Sequence, residues 1–84
     1  MTASSIQVRL FARARELAGS DTISVNAVDE MTVAWLRTAI AEQYPVLKSL
    51  SGQLLIAVDN AYAGEEQPLN AEQEIACFPP VSGG

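Results

Sequence analysis

Apolar and polar residues alternate in two short segments near the start of the chain. Residues 6–11 and residues 22–26 both show a period of two, which predicts two half-buried strands. Residues 12–18 favour a helix but are too few to form one without tertiary support, and residues 19–21 predict a turn. Because the connection between the strands is short, an antiparallel pair is the simplest arrangement.

The middle of the chain changes to helical spacing. The clearest predicted helix starts at Thr32, whose hydroxyl can cap the first turn, and ends near Pro45. Its apolar face consists of Val33, Leu36, Ile40 and Tyr44. Trp35 is out of register with this face, so we expect it to be partly exposed. Residues 46–50 predict a looser, partly buried connection.

The second half of the chain predicts two or three further strands. The apolar run 54–58 is typical of a central strand buried on both faces. Residues 59–60 predict a turn, and residues 61–63 a short return strand. Residues 64–71 predict a surface loop, and residues 74–78 predict the last strand.

This order predicts an α+β domain in which one main helix packs on a small mixed sheet. The ubiquitin-like β-grasp roll is the leading arrangement. We expect a β-grasp domain over residues 1–78 and an extended C-terminal tail over residues 79–84.

Composition narrows the function classes. The 84 residues include no His and one Cys, so an internal disulfide is excluded and neither a zinc site nor the commonest general base is offered. The net charge of −5 disfavours nucleic acid and favours a basic protein surface as a partner. The run 54–58 is too short to span a bilayer, and residues 1–5 lack the features of a signal peptide. We therefore expect a cytoplasmic protein without a membrane partner.

The last six residues carry the chemical signal. Two prolines favour an extended start, and two glycines end the chain without side chains: Pro79, Pro80, Val81, Ser82, Gly83 and Gly84. Fully extended, this tail reaches roughly 20 Å and can carry its carboxylate into a narrow pocket of another protein. A terminal Gly-Gly alone is more often a frayed end, but one that follows a strand and Pro-Pro in a β-grasp-like chain is far more specific.

A carboxylate becomes reactive when its oxygen is made a leaving group. ATP could convert Gly84 into an acyl-adenylate, and a sulfur nucleophile could then displace AMP to give a thiocarboxylate. In this scheme partner enzymes supply the catalytic groups, and this chain supplies the reacting terminus.

With these motifs, the chain closely resembles the family of small, sulfur-carrier subunits of molybdopterin synthase. The resemblance rests on residues 11–19 and 78–84, with landmarks at 54–58 and 68–69, and covers nearly the whole chain. The closing motif is the specific one. Cys77 stands where family members often have an aromatic residue, and a buried small side chain is favoured there over a redox or sulfur-relay role.

The resemblance implies a heterotetramer with a large subunit, in which this chain is a non-catalytic, sulfur-donating subunit. It implies that an adenylyltransferase similar to the ubiquitin-activating kind uses ATP to adenylate Gly84. The resulting thiocarboxylate would donate sulfur to cyclic pyranopterin monophosphate in the large subunit. It implies neither a permanently bound cofactor nor a metal.

The resemblance also implies interface residues. Phe11 and Phe78 end strands that should lie side by side. Both match positions that present apolar surface to the large subunit, although ordinary core packing is equally compatible with both. Tyr62 is a weaker interface candidate. Arg15 is a candidate contact to the activating enzyme or the large subunit, with a solvated pair to Glu16 as the ordinary alternative.

Three other functions remain open. A carrier for thiamine or cysteine biosynthesis would share the tail chemistry, and a ubiquitin-like modifier would join Gly84 to lysine side chains. A plain interaction module would have an inert tail.

Overall fold

The structure, a computed structural model, describes residues 5–79. Its strands, in chain order, are β1 Ser5–Leu10, β2 Thr22–Asn26, β3 Met31–Thr32, β4 Leu55–Val58, β5 Ala61–Tyr62, β6 Pro68–Leu69 and β7 Ile75–Phe78. Its helices are α1 Ala12–Ala18, α2 Val33–Gln43 and α3 Lys48–Ser51, with a 3₁₀ turn over Pro45–Leu47.

The main sheet of the described part is mixed and has the order β2-β1-β7-β4-β5. Strand β1 runs antiparallel to β2, as predicted, and parallel to β7. Alternate residues of β1 and β2 are buried on the face that α2 covers, so the period-two pattern reports the core side correctly. The predicted α+β, ubiquitin-like β-grasp fold is confirmed.

Helix α2 forms because both its cap and its apolar spacing favour it. The Thr32 hydroxyl accepts a hydrogen bond from the backbone N–H of Trp35 at 3.1 Å, which confirms the predicted cap. The buried side chains of the helix are Val33, Leu36, Ala39 and Ile40. The helix ends at Gln43, just before Pro45, and Trp35 is partly exposed as predicted.

Helix α1 has the tertiary support that its length requires. Ala14 is fully buried, and Leu17 and Ala18 pack against the core. The helix ends at Gly19, which adopts a left-handed conformation (φ 73°) and donates its N–H to the Arg15 carbonyl at 3.0 Å. This stop places β2 antiparallel to β1.

The prediction of a plain loop over residues 64–71 is wrong in one part. Strand β6 pairs antiparallel with β3, and Leu69 lies buried opposite Met31. The Val33 N–H also bonds the Gln67 carbonyl at 3.1 Å. A two-residue strand is too short to show periodicity in a sequence. The pairing and the burial of Leu69 therefore become visible only in the structure.

Strand β4 lies inside the main sheet, between β7 and β5, and Ile56, Ala57 and Val58 are buried, as predicted for a central strand, while Leu55 at its start is 42% exposed. One other expectation needs correction. The connection 46–50 is not loose, because the 3₁₀ turn and α3 occupy it and Leu47 is fully buried.

The side chains of Tyr44 and Arg37 bond backbone groups of the outer strand β2 and of the residue just before β4. The Tyr44 hydroxyl donates to the Ser24 carbonyl at 2.7 Å and accepts from the Ser24 N–H at 3.3 Å. Arg37 donates to the Leu54 carbonyl at 2.6 Å, just before β4. These bonds occupy backbone groups that a free strand edge would otherwise offer to another chain.

Within residues 5–79, no helix is long and apolar enough to cross a membrane. Pro79 is the last described residue, so the predicted boundary between a domain and an extended tail stays a prediction.

Candidate functional site

Two phenylalanines meet where the described chain ends. Because β1 and β7 are parallel and Leu10 lies opposite Cys77, Phe11 and Phe78 follow side by side. Their ring centroids are 4.7 Å apart, and the ring planes differ by 8°. Such stacking contributes about 1 kcal/mol beyond the area that it buries.

Tyr62 on β5 completes a surface that we call the aromatic patch, formed by Phe11, Tyr62 and Phe78. Its ring meets Phe78 edge-on, with centroids 6.3 Å apart. Tyr62 is 73% exposed, and both phenylalanines are half-buried. The patch therefore lies on the sheet face opposite α2, outside the core cluster. The role of these residues in an interface stays a prediction, but they are not packed in the core.

A depression of about 270 Å³ adjoins the aromatic patch. Cross-strand pairing puts Ala57 beside Ala76 on the same sheet face. Because both side chains are small, the surface dips there between larger neighbours. The remaining lining residues are Arg9, Phe11, Asn60, Tyr62, Glu74, Ile75 and Phe78.

The cation beside the patch is Arg9. Its guanidinium carbon lies 5.5 Å from the centroid of the Phe11 ring, within the range of a cation–π contact. The sequence analysis missed this residue, although the signal was present. Arg9 precedes Phe11 by two positions, and alternate residues of a strand share a face.

Arg15 lies elsewhere, in the last turn of α1, and its side chain is exposed. No ion pair joins it to Glu16 in the described part of the chain, where the salt bridge found is that of Arg37 with Glu65. Arg15 therefore does not line the depression beside the aromatic patch.

Cys77 points into the core and is fully buried. Burial raises the pKa of its thiol from 9.0 to about 12, against a smaller lowering by Arg37. The thiol is therefore protonated and shielded at neutral pH, which favours the buried-hydrophobe interpretation over a sulfur relay.

The reacting residues predicted from sequence lie mostly outside the described part. Pro79 is half-buried after β7, whereas Pro80, Val81, Ser82, Gly83 and Gly84 fall outside residues 5–79. No group of three or more potential metal ligands occurs within those residues. What the described residues show is an exposed aromatic patch next to Pro79.

Comparison with known proteins places this geometry in context. The model of the ThiS family matches residues 8–84. The chain is 42% identical to the molybdopterin synthase sulfur carrier subunit of Escherichia coli K12, over 94% of this chain and 99% of that one. It is 36% identical to small archaeal modifier protein 1 of Haloferax volcanii, over 90% of this chain and 97% of that one. A crystal structure of SAMP1 from Haloferax volcanii superposes with a TM-score of 0.81 at 31% identity, covering 96% and 100% of the two chains.

Proposed function

We propose that this chain, which belongs to the ThiS family, is the sulfur carrier subunit of a molybdopterin synthase. The 42% identity to the Escherichia coli carrier extends over nearly the full length of both chains and supports this assignment. The observation that carries it is the exposed aromatic patch beside Pro79, because it provides a protein-binding surface at the base of the proposed reactive tail.

The proposed chemistry takes place at Gly84. An adenylyltransferase joins the carboxylate to AMP from ATP and releases pyrophosphate. Hydrosulfide released from the sulfur donor then attacks the acyl carbon, the bond to the AMP oxygen breaks with AMP as the leaving group, and loss of the S–H proton leaves a thiocarboxylate. We propose that Pro79 to Gly83 carry this group into the large subunit, where it donates sulfur to cyclic pyranopterin monophosphate.

The described residues fit a carrier whose partners supply the catalysis. The sequence has no His, and the one thiol is buried and protonated at neutral pH. In the proposed heterotetramer, Phe11, Tyr62 and Phe78 bind the large subunit, and Arg15 extends the contact to that subunit or to the adenylyltransferase. We propose that ATP is bound by the adenylyltransferase and that the carrier acts in the cytoplasm.

The second candidate is a protein modifier. The 36% identity to small archaeal modifier protein 1 favours it, and its chemistry shares the adenylate. In that reaction a lysine amine of a target, instead of sulfur, attacks the acyl carbon and forms an isopeptide bond. The two functions therefore differ in the nucleophile and not in the activation.

Intact-protein mass spectrometry tests the proposal. The chain is incubated with ATP, a matching adenylyltransferase and a sulfur donor, and a variant lacking Gly84 is the control. We expect a mass increase equal to the replacement of one oxygen by sulfur, localised to Gly84 and absent from the control. Adding the large subunit and the pyranopterin precursor should then return the carboxylate form and yield molybdopterin.

Two results would contradict the proposal. One is an unchanged mass with an adenylyltransferase that is competent on a known carrier. The other is a thiocarboxylate that the large subunit leaves unused. High-mass conjugates in cells that disappear with Gly84 would favour the modifier.

A further inference from the structure

The depression beside the aromatic patch has an unusual construction for a sheet surface. One cross-strand row on this face runs from Arg9 through Ala76 and Ala57 to Tyr62. Its two central members are alanines, whereas both ends carry large side chains. The floor is firm, because Ile75 and Cys77 on either side of Ala76 are fully buried in the core.

A side chain from another protein would fit this shape. The floor is apolar, and the stacked rings of Phe11 and Phe78 form one wall. Buried anchors that fill such preformed pockets supply most of the binding energy of protein interfaces. A volume of about 270 Å³ is large enough to accommodate a side chain.

The position of the tail identifies which protein can occupy the depression. In the proposed function Gly84 is held in the active site of another enzyme, and residues 80–84 reach at most roughly 17 Å beyond Pro79. Pro79 follows Phe78 directly, and Phe78 lines the depression. An enzyme that holds Gly84 therefore has its active site within roughly 17 Å of Pro79, close enough for its surface to reach this part of the sheet.

Charge adds a second requirement. Arg9 lies on the rim, is held over Phe11, and has no ion-pair partner among residues 5–79. In a chain of net charge −5, this cation favours an acidic group on the opposing surface at the Arg9 side of the rim, whereas Glu74, which also lines the depression, disfavours one at its own side.

We propose that the Ala57–Ala76 depression is the anchor site for the large subunit, which inserts one aliphatic side chain there and places a carboxylate beside Arg9. This inference rests on the proposed function and assigns a specificity-determining role to two alanines. The small alanine side chains leave space for a side chain of the partner. Enlarging one of them should therefore block binding without removing any contact group.

The test is isothermal titration calorimetry of the complete chain with the large subunit. Ala76→Leu fills the depression, and Ala34→Leu is the matched control, because Ala34 is exposed on α2, on the other side of the sheet. We expect Ala76→Leu to raise Kd at least tenfold, as for loss of an anchor, and Ala34→Leu to leave Kd within about twofold. Arg9→Gln should weaken binding several-fold at low salt and much less at high salt.

The outcomes separate the two proposals. Wild-type affinity in Ala76→Leu, or a salt-independent loss in Arg9→Gln, would overturn the anchor site and leave the proposed function standing. No binding by the wild-type chain would overturn both. Should Ala76→Leu fail to fold, Ala57→Val enlarges the floor from the neighbouring strand, and the same tenfold criterion applies.

Discussion

Removing one hydroxyl from Tyr44 should destabilise the fold measurably, because that hydroxyl closes the outer strand β2. Tyr44→Phe keeps the ring and deletes two hydrogen bonds, one to the Ser24 carbonyl at 2.7 Å and one from the Ser24 N–H at 3.3 Å. A net hydrogen bond contributes about 1 kcal/mol. The second bond is long, and water can reach both Ser24 groups once the hydroxyl is gone.

We therefore expect the free energy of unfolding to fall by about 1–1.5 kcal/mol in Tyr44→Phe. In a domain of this size each kcal/mol corresponds to a Tm change of about 4–8 °C. Tyr62→Phe is the matched control, because Tyr62 is 73% exposed and its hydroxyl has no hydrogen-bond partner in the described range 5–79. It should change stability by less than about 0.5 kcal/mol.

Urea denaturation and amide exchange by NMR provide the two measurements. The slope of the denaturation curve should be the same in Tyr44→Phe as in the wild-type chain. The Ser24 amide should exchange faster in Tyr44→Phe, while the exchange rates of the β7 amides keep their order relative to one another. Equal losses of unfolding free energy in Tyr44→Phe and Tyr62→Phe would show that removing either tyrosine hydroxyl has this effect. The hydrogen bonds to the β2 edge would then not be its cause. Unaltered exchange at Ser24 would refute the edge-closing role outright.

Two further predictions concern the buried Cys77 thiol and the aromatic patch. The Cys77 thiol should resist iodoacetamide in the native protein at pH 8 and react fully in denaturant. Because its folded pKa of about 12 exceeds the unfolded value of 9.0, its contribution to stability is complete below about pH 9 and is lost as pH rises from 9 towards 12, by at most about 1.4 kcal/mol per pH unit. Cys77→Ala should flatten that part of the stability curve, and an unchanged slope would contradict the burial argument. Phe78→Asp should weaken binding to the large subunit in calorimetry at least tenfold, and unchanged affinity would remove Phe78 from the interface.

The elements that the sequence predicted are those with a repeating pattern. Strand β1 shows strict alternation and α2 combines a hydroxyl cap with helical spacing, so both were predicted close to their observed bounds. The pairing of β3 with β6 was missed, because it involves two residues on each strand and is held by contacts between distant parts of the chain.

The candidate site was predictable where it depends on strand ends. The expectation that Phe11 and Phe78 lie side by side followed from two strands that end together, and the stacked rings confirm their proximity. The depression could not be predicted, because it requires the register that aligns Ala57 with Ala76. The chain carries no local mark of that register.

The exposed surface of this small domain limits how a carrier can bind more than one enzyme. Tyr44 bonds the backbone of the outer strand β2, and Arg37 bonds the Leu54 carbonyl just before β4. The aromatic patch is left exposed beside the exit of the tail. Under the proposed function, the enzyme that activates Gly84 and the enzyme that takes its sulfur must each stand within the reach of five residues of that patch. Both therefore approach the same end of the sheet, and we expect them to compete for the aromatic patch and to bind in turn, with the shape of the depression favouring one partner over the other.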